Sequence, residues 1–160
     1  MVSDSISKAD NISKARKTVL AYMDAMNTLD LPKIMSLHTE DYRHQMLPLS
    51  LKVPVMDNAG YEAYFKKDLP LFHTYECFIN DLIEDYKQKK IVVYARDRAD
   101  TDLGEYRCEY MLTFFLTDDG TKLKRMHEWV DPSIAVPWVT KLRKLLAENE
   151  AQKEQAASML

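Results

Sequence analysis

Glu128 is the carboxylate whose surroundings best suit acid–base chemistry. It follows the turn Asp118-Asp119-Gly120 in the segment EYMLTFFLTDDGTKLKRMHEWV, which reads as two strands and a tight connection. A three-residue loop, with the aspartates in a type I turn and Gly120 left-handed, sets Thr117 opposite Thr121. Tyr110 then pairs with Glu128, Leu112 with Met126 and Cys108 with Val130. Directly opposed residues share a face, so Tyr106, Cys108, Tyr110, Met126 and Glu128 gather on one, mostly apolar side. Glu109, Met111, Thr113, Phe115, Arg125, His127 and Trp129 take the other. A two-residue loop would turn Glu128 over. An apolar setting disfavours charge on a carboxyl group and suits it to general acid–base work. The structural alternative is a carboxylate held by a tyrosine or an arginine. Tyr106 and Tyr110, four apart, can each donate to a substrate oxygen or simply fill the core.

A second chemical cluster is YRHQM at 42–46. Strand alternation puts Tyr42, His44 and Met46 on one face and Arg43, Gln45 and Leu47 on the other. His44 can shuttle a proton near neutrality, and Arg43 can stabilise an oxyanion. Only one of the two points inward unless a bulge intervenes. The run RDRAD at 96–100 reads as a solvated strand of alternating charge.

These residues need a scaffold, and the chain supplies start and stop signals for one. A helix is expected from about Ser13, with Val19, Tyr22, Met23 and Met26 on its apolar stripe. A second begins at Asp30-Leu-Pro32, where aspartate caps and proline fits the first turn. A first strand follows over 41–47. An extended loop with two prolines leads to a third helix near Asp57, with Tyr61, Tyr64, Phe65 and Leu69 on its apolar face and Pro70 at its end. Strands at 74–85, 90–101, 105–117 and 122–130 form a meander, and a last helix spans 132–149. Helices first and strands last argue for an α+β domain over 13–149, with a flexible tail at 1–12 and a polar one at 150–160. Tyr22, Tyr64 and Phe65 from the helices and Tyr106, Tyr110 and Met126 from the sheet are expected to line one closed pocket of about 300–1,000 Å³.

The 160 residues are 46% hydrophobic and carry a net charge of -3, enough for one core and without the positive excess that nucleic acid demands. No run approaches the ~20 apolar residues of a membrane span, and MVSDSISKADNISK lacks a signal-peptide core, so a cytoplasmic location is expected. Cys77 and Cys108 are read as reduced core thiols. His38, His44, His73 and His127 are too scattered for a local metal motif, and no metal is expected. Met111, Phe115, His127 and Trp129 on the outer face point to a homodimer.

The stretch 22–48, YMDAMNTLDLPKIMSLHTEDYRHQMLP, resembles the opening of the nuclear transport factor 2-like superfamily. That is the cone-shaped α+β fold of SnoaL-type polyketide cyclases, ketosteroid isomerases and scytalone dehydratases. Against the isomerase pattern Tyr22 falls on the catalytic tyrosine, while the catalytic aspartate falls on Met46. With the hairpin and HEWVDP, the chain is similar to fungal isomerases and cyclases of meroterpenoid and indole-alkaloid biosynthesis. The resemblance implies a curved, mixed, mostly antiparallel sheet covered on its concave face by N-terminal helices, with a C-terminal helix. It also implies a cofactor-free, homodimeric enzyme acting on a small apolar oxygenated molecule. The positions matching its recurrent pocket residues are Arg43, Tyr106, Tyr110 and Glu128, whereas the isomerase alignment turns His44 and Met46 inward. A scytalone-type dehydratase, or a binding and dimerisation module, are the rival readings.

Overall fold

The computed structural model describes residues 12–158, so the expected tail at 1–12 lies, but for its last residue, outside the described residues. Each of the first three helices starts where a short polar side chain can satisfy an orphan backbone N–H. Ser13 Oγ accepts from the Arg16 amide at 2.9 Å ahead of α1 (Lys14–Asn27). Asp30 Oδ1 accepts from Lys33 at 3.0 Å ahead of α2 (Leu31–Ser36), and Asp57 Oδ1 from Gly60 at 2.9 Å ahead of α3 (Asn58–Asp68). A single 3-10 turn, Leu69–Leu71, contains Pro70 and closes that third helix.

Five strands follow one another across a single sheet: β1 (His38–Leu47), β2 (Phe72–Asp85), β3 (Lys90–Thr101), β4 (Gly104–Leu116) and β5 (Leu123–Val130), in the order β1-β5-β4-β3-β2. β1 runs parallel to β5, and the other pairs are antiparallel. The helices cover the face carrying Leu112, Phe114 and Met126, against which Val19, Tyr22 and Met23 pack. Tyr22 meets the fully buried Phe114 edge-on at 5.3 Å, and each such buried ring contributes roughly 1.5–3 kcal/mol by leaving water. The hairpin turn also docks on α1. Thr18 Oγ1 donates to Gly120 O at 2.7 Å, and Gly120 (φ 73°) lies where an added Cβ would come within 2.8 Å of the Ala15 nitrogen.

The hairpin register differs from the expected one by two residues. Tyr110 pairs with Val130, Leu112 with Glu128 and Phe114 with Met126. One step comes from a longer loop, in which the Thr117 amide bonds Lys122 O at 2.9 Å. The other comes from a bulge where Leu116 pairs with Leu123 but Phe115 with Arg125. Either step alone would turn Glu128 to the outer face; together they preserve its side. The last helix, α4 (Pro132–Ala157), also outruns the expected end at 149, because its exposed extension is rich in the helix formers Ala, Glu, Gln and Lys. Among the described residues, no helix is long and apolar enough to cross a membrane.

Candidate active site

β1 turns His44 inward. Tyr42, His44 and Met46 are all buried, and the His44 backbone is pinned by paired hydrogen bonds with Met56 at 2.8 and 2.9 Å. Parallel pairing sets His44 beside Met126 and Met46 beside Glu128, so His44 and Glu128 are diagonal neighbours on the concave face. Their side chains meet, His44 Nε2 to Glu128 Oε2, at 2.9 Å. With Glu128 as a carboxylate, which only accepts, Nε2 of His44 is the donor, and His44 Nδ1 lies 3.2 Å from Tyr42 Oη. The histidine is 2% exposed and the glutamate side chain 21%, leaving the carboxylate as the member of the pair that a ligand can reach.

Behind this pair stands a support absent from the sequence reading. His38 stacks on Tyr42 at 3.6 Å and donates through Nδ1 to Asn58 Oδ1 at 3.0 Å, since Asn58 Nδ2 is used on Thr39 O. Burial pushes His38 down to about 4, so it is neutral at physiological pH. It holds the Tyr42 ring without adding charge to the site.

A second carboxylate overturns the reading of RDRAD as wholly solvated. Arg96, Arg98 and Asp100 do face solvent, but Asp97 is 6% exposed. Its Oδ1 accepts from the Cys108 amide at 2.9 Å and its Oδ2 from Tyr110 Oη at 2.8 Å, while Tyr110 Oη lies 3.1 Å from Tyr106 Oη. Burial pushes Asp97 up to about 6 against the pull of the Tyr110 and Cys108 hydrogen bonds, and the Glu128 charge adds to the rise. Asp68, at the end of α3, is likewise pushed up to about 6 by burial, with Lys67 and Tyr64 drawing it back.

One cavity joins these groups. Glu128, Asp97, Asp68, Tyr106 and Tyr110 line it together with Tyr22, Met46, Tyr64, Phe65 and Met126. Its volume is about 150 Å³, below the expected range. Further rings, those of Tyr61, Phe72, Tyr75 and Trp138, also border it and take up space the sequence reading had left empty. Tyr22 and Tyr61 share a hydrogen bond at 2.9 Å, and burial raises both phenols well above their ordinary range. The Cys77 thiol borders the same space, and burial pushes it up to about 12, which removes it as a nucleophile.

Arg43 is where the expectation fails. It is exposed on the outer face, and its guanidinium donates back to the Asp41 and Tyr42 carbonyls at 3.1 and 2.8 Å. Strand parity with the buried Tyr42 and Met46 selects His44 instead. Among the described residues, no three His, Cys, Asp or Glu side chains group as metal ligands.

No family model matches the chain. It is 30% identical over 114 residues to Monooxygenase nsrQ of Aspergillus novofumigatus, covering 71% of this chain and 76% of that protein. It is 26% identical over 132 residues to Core atranone cluster (CAC) protein 11 of Stachybotrys chlorohalonatus, covering 82% and 98%. Among solved structures it is similar to the BvnE pinacolase from Penicillium brevicompactum, with TM-score 0.77, 20% identity and coverage of 84% and 96%. A putative SnoaL-like polyketide cyclase from Shewanella denitrificans matches with TM-score 0.66 at 8% identity, covering 79% and 97%.

Proposed function

The chain belongs to the SnoaL-like, nuclear transport factor 2-like superfamily, and on that premise we propose that it is a cofactor-independent isomerase or cyclase. Its substrate is an apolar, oxygenated secondary metabolite of the terpenoid, polyketide or alkaloid kind. The observation that carries this reading is the Glu128 carboxylate, the one of the three carboxyl groups on the cavity wall that is tied, at 2.9 Å, to a buried histidine, in a cavity lined mostly by rings and aliphatic side chains. The likeness to chains titled a pinacolase and a polyketide cyclase supports it.

Glu128 Oε2 is occupied by His44, which leaves Oε1 for the substrate. It takes a proton from an activated carbon or hydroxyl, and Nε2–H of His44 keeps the carboxyl plane fixed through the transfer. The negative charge left on the substrate oxygen is met by tyrosine hydroxyls lining the cavity. Glu128 then returns the proton at another atom, so the product has the formula of the substrate. A homodimer through the outer sheet face, where Met111 and Trp129 are exposed, completes the proposal.

The relative named a monooxygenase favours a second reading. The same base would ionise a doubly activated methylene, whose carbanion adds dioxygen; loss of water from the hydroperoxide leaves a ketone. Deleting the gene in its producer, or in a host carrying the neighbouring biosynthetic genes, supplies the test. The metabolite that accumulates is purified and incubated with the protein. An unchanged molecular formula in the product supports isomerisation or cyclisation. One oxygen gained for two hydrogens lost replaces it with oxygenation, and loss of water replaces it with dehydration.

A further inference from the structure

Resting on the reading of this cavity as a substrate site, we propose that Asp97 sets the direction of the Tyr110–Tyr106 hydroxyl chain, so that Tyr106 offers the cavity a hydrogen-bond donor when Asp97 is protonated and an acceptor when it is ionised. Geometry fixes where the proton must sit. The Cys108 amide donates to Oδ1 and has no alternative polarity, so Oδ1 is always an acceptor. Any proton on the carboxyl group therefore lies on Oδ2, the oxygen 2.8 Å from Tyr110 Oη. Each phenol has one proton to give. With Asp97 ionised, Tyr110 donates to Oδ2 and Tyr106 donates to Tyr110 across 3.1 Å, leaving only lone pairs of Tyr106 for a ligand. With Asp97 protonated, Oδ2–H donates to Tyr110, Tyr110 donates to Tyr106, and the Tyr106 proton is released toward the cavity.

The groups facing Asp97 allow this reversal near neutral pH. Tyr75 and Cys77 approach from β2, Tyr106, Cys108 and Tyr110 from β4, and Glu128 from β5; the thiols and phenols stay neutral and only the glutamate contributes charge. Burial places the switch at about 6. Asp97 is thus a positioning residue acting through two tyrosines, and it selects between ligand oxygens that accept, such as ketones, and hydroxyls that donate.

The test begins with the free protein, carbon-13 labelled at the tyrosine ring carbon that bears the hydroxyl. In wild type the Tyr106 and Tyr110 signals titrate together with a midpoint near 6. In Asp97→Asn they are static, because the Asn carbonyl must take the Cys108 amide and its NH₂ then points at Tyr110, locking the donor-out direction. Tyr110→Phe, which cuts the chain, abolishes the Tyr106 titration and covers the case of a poorly folded Asp97 variant. The second arm uses 1-indanone, a rigid bicyclic ketone small enough for the cavity. Wild type binds it about five- to tenfold more tightly at about pH 5 than at pH 8, the scale of one hydrogen bond. Asp97→Asn binds it tightly at both, and Tyr106→Phe weakly at both. Static wild-type shifts overturn the switch; wild-type indanone affinity that is pH-independent, or no binding at either pH, overturns its opening onto the cavity. Glu128→Gln leaves the coupled titration in place, so loss of the acid–base reading and loss of this one are told apart.

Discussion

Replacing Asp97 by asparagine should stabilise the protein, and by an amount that depends on pH. Asp97 is 6% exposed and is pushed from 3.8 to about 6 by burial. The difference of roughly two units, at about 1.4 kcal/mol each, means that holding this carboxylate in the folded state costs about 3 kcal/mol once it is ionised. Below about pH 3 the group is protonated in both the folded and the unfolded chain, and the cost vanishes. As pH rises toward 6 the unfolded chain releases its proton while the folded one retains it, so wild type loses stability across that window and levels off above it. Asparagine copies the neutral form, keeping the acceptor for the Cys108 amide, and has no such dependence. His38, held down to about 4, and Asp68, raised to about 6, titrate in the same range, but in both proteins, so they cancel in the difference. Urea unfolding followed by circular dichroism from about pH 3 to pH 8 should show the advantage of the variant growing by about 3 kcal/mol, or roughly 6–12 °C in Tm. An advantage that stays constant over the range, or shrinks as pH rises, would refute the burial argument.

Two further substitutions separate the site from the surface. Arg43→Ala should leave turnover of the accumulated metabolite within about twofold of wild type, because the guanidinium bonds only local carbonyls on the outer face; a hundredfold loss would return the arginine to the mechanism. Light scattering should give wild type a mass near twice 18.7 kDa and Trp129→Glu a mass near 18.7 kDa, since Trp129 is 49% exposed in the single chain. A monomeric wild type would end the dimer proposal. Arg125 already covers part of that face, with its guanidinium 4.0 Å from the Phe115 ring centre.

What could be read from the sequence was what local chemistry decides. Ser13, Asp30 and Asp57 mark helix starts because each short acceptor serves an amide only three residues ahead. Along β1 alternation required that only one of Arg43 and His44 point inward and left open which; the burial of Tyr42 and Met46 on the His44 side decides it. The hairpin shows the limit. Two single-residue irregularities, one in the turn and one at the bulge, left Glu128 on the expected face while changing its partner from Tyr110 to Leu112. Asp97 was hidden because RDRAD alternates charges of both signs, although parity along β3 carried a signal: Asp97 shares the buried face with Ile91, Val93, Ala95 and Ala99, while Arg96, Arg98 and Asp100 face solvent. Tyr61 and Asp68 carried a usable signal, since they share a helical stripe with Tyr64 and Phe65 on α3. His38 carried none, because its place depends on an irregularity in β1 and on a stack against Tyr42.

Proton transfer in the proposed reaction depends on Glu128. The measurement that tests it most directly is single-turnover conversion of the accumulated metabolite by Glu128→Gln, beside wild type, with folding checked by circular dichroism. Glutamine preserves the shape and can still meet His44, but it cannot take a proton. Turnover should fall by at least ~100-fold, the usual scale for a positioned acid or base, with the spectrum unchanged. A folded Glu128→Gln protein that converts the metabolite at a near-normal rate would contradict the account.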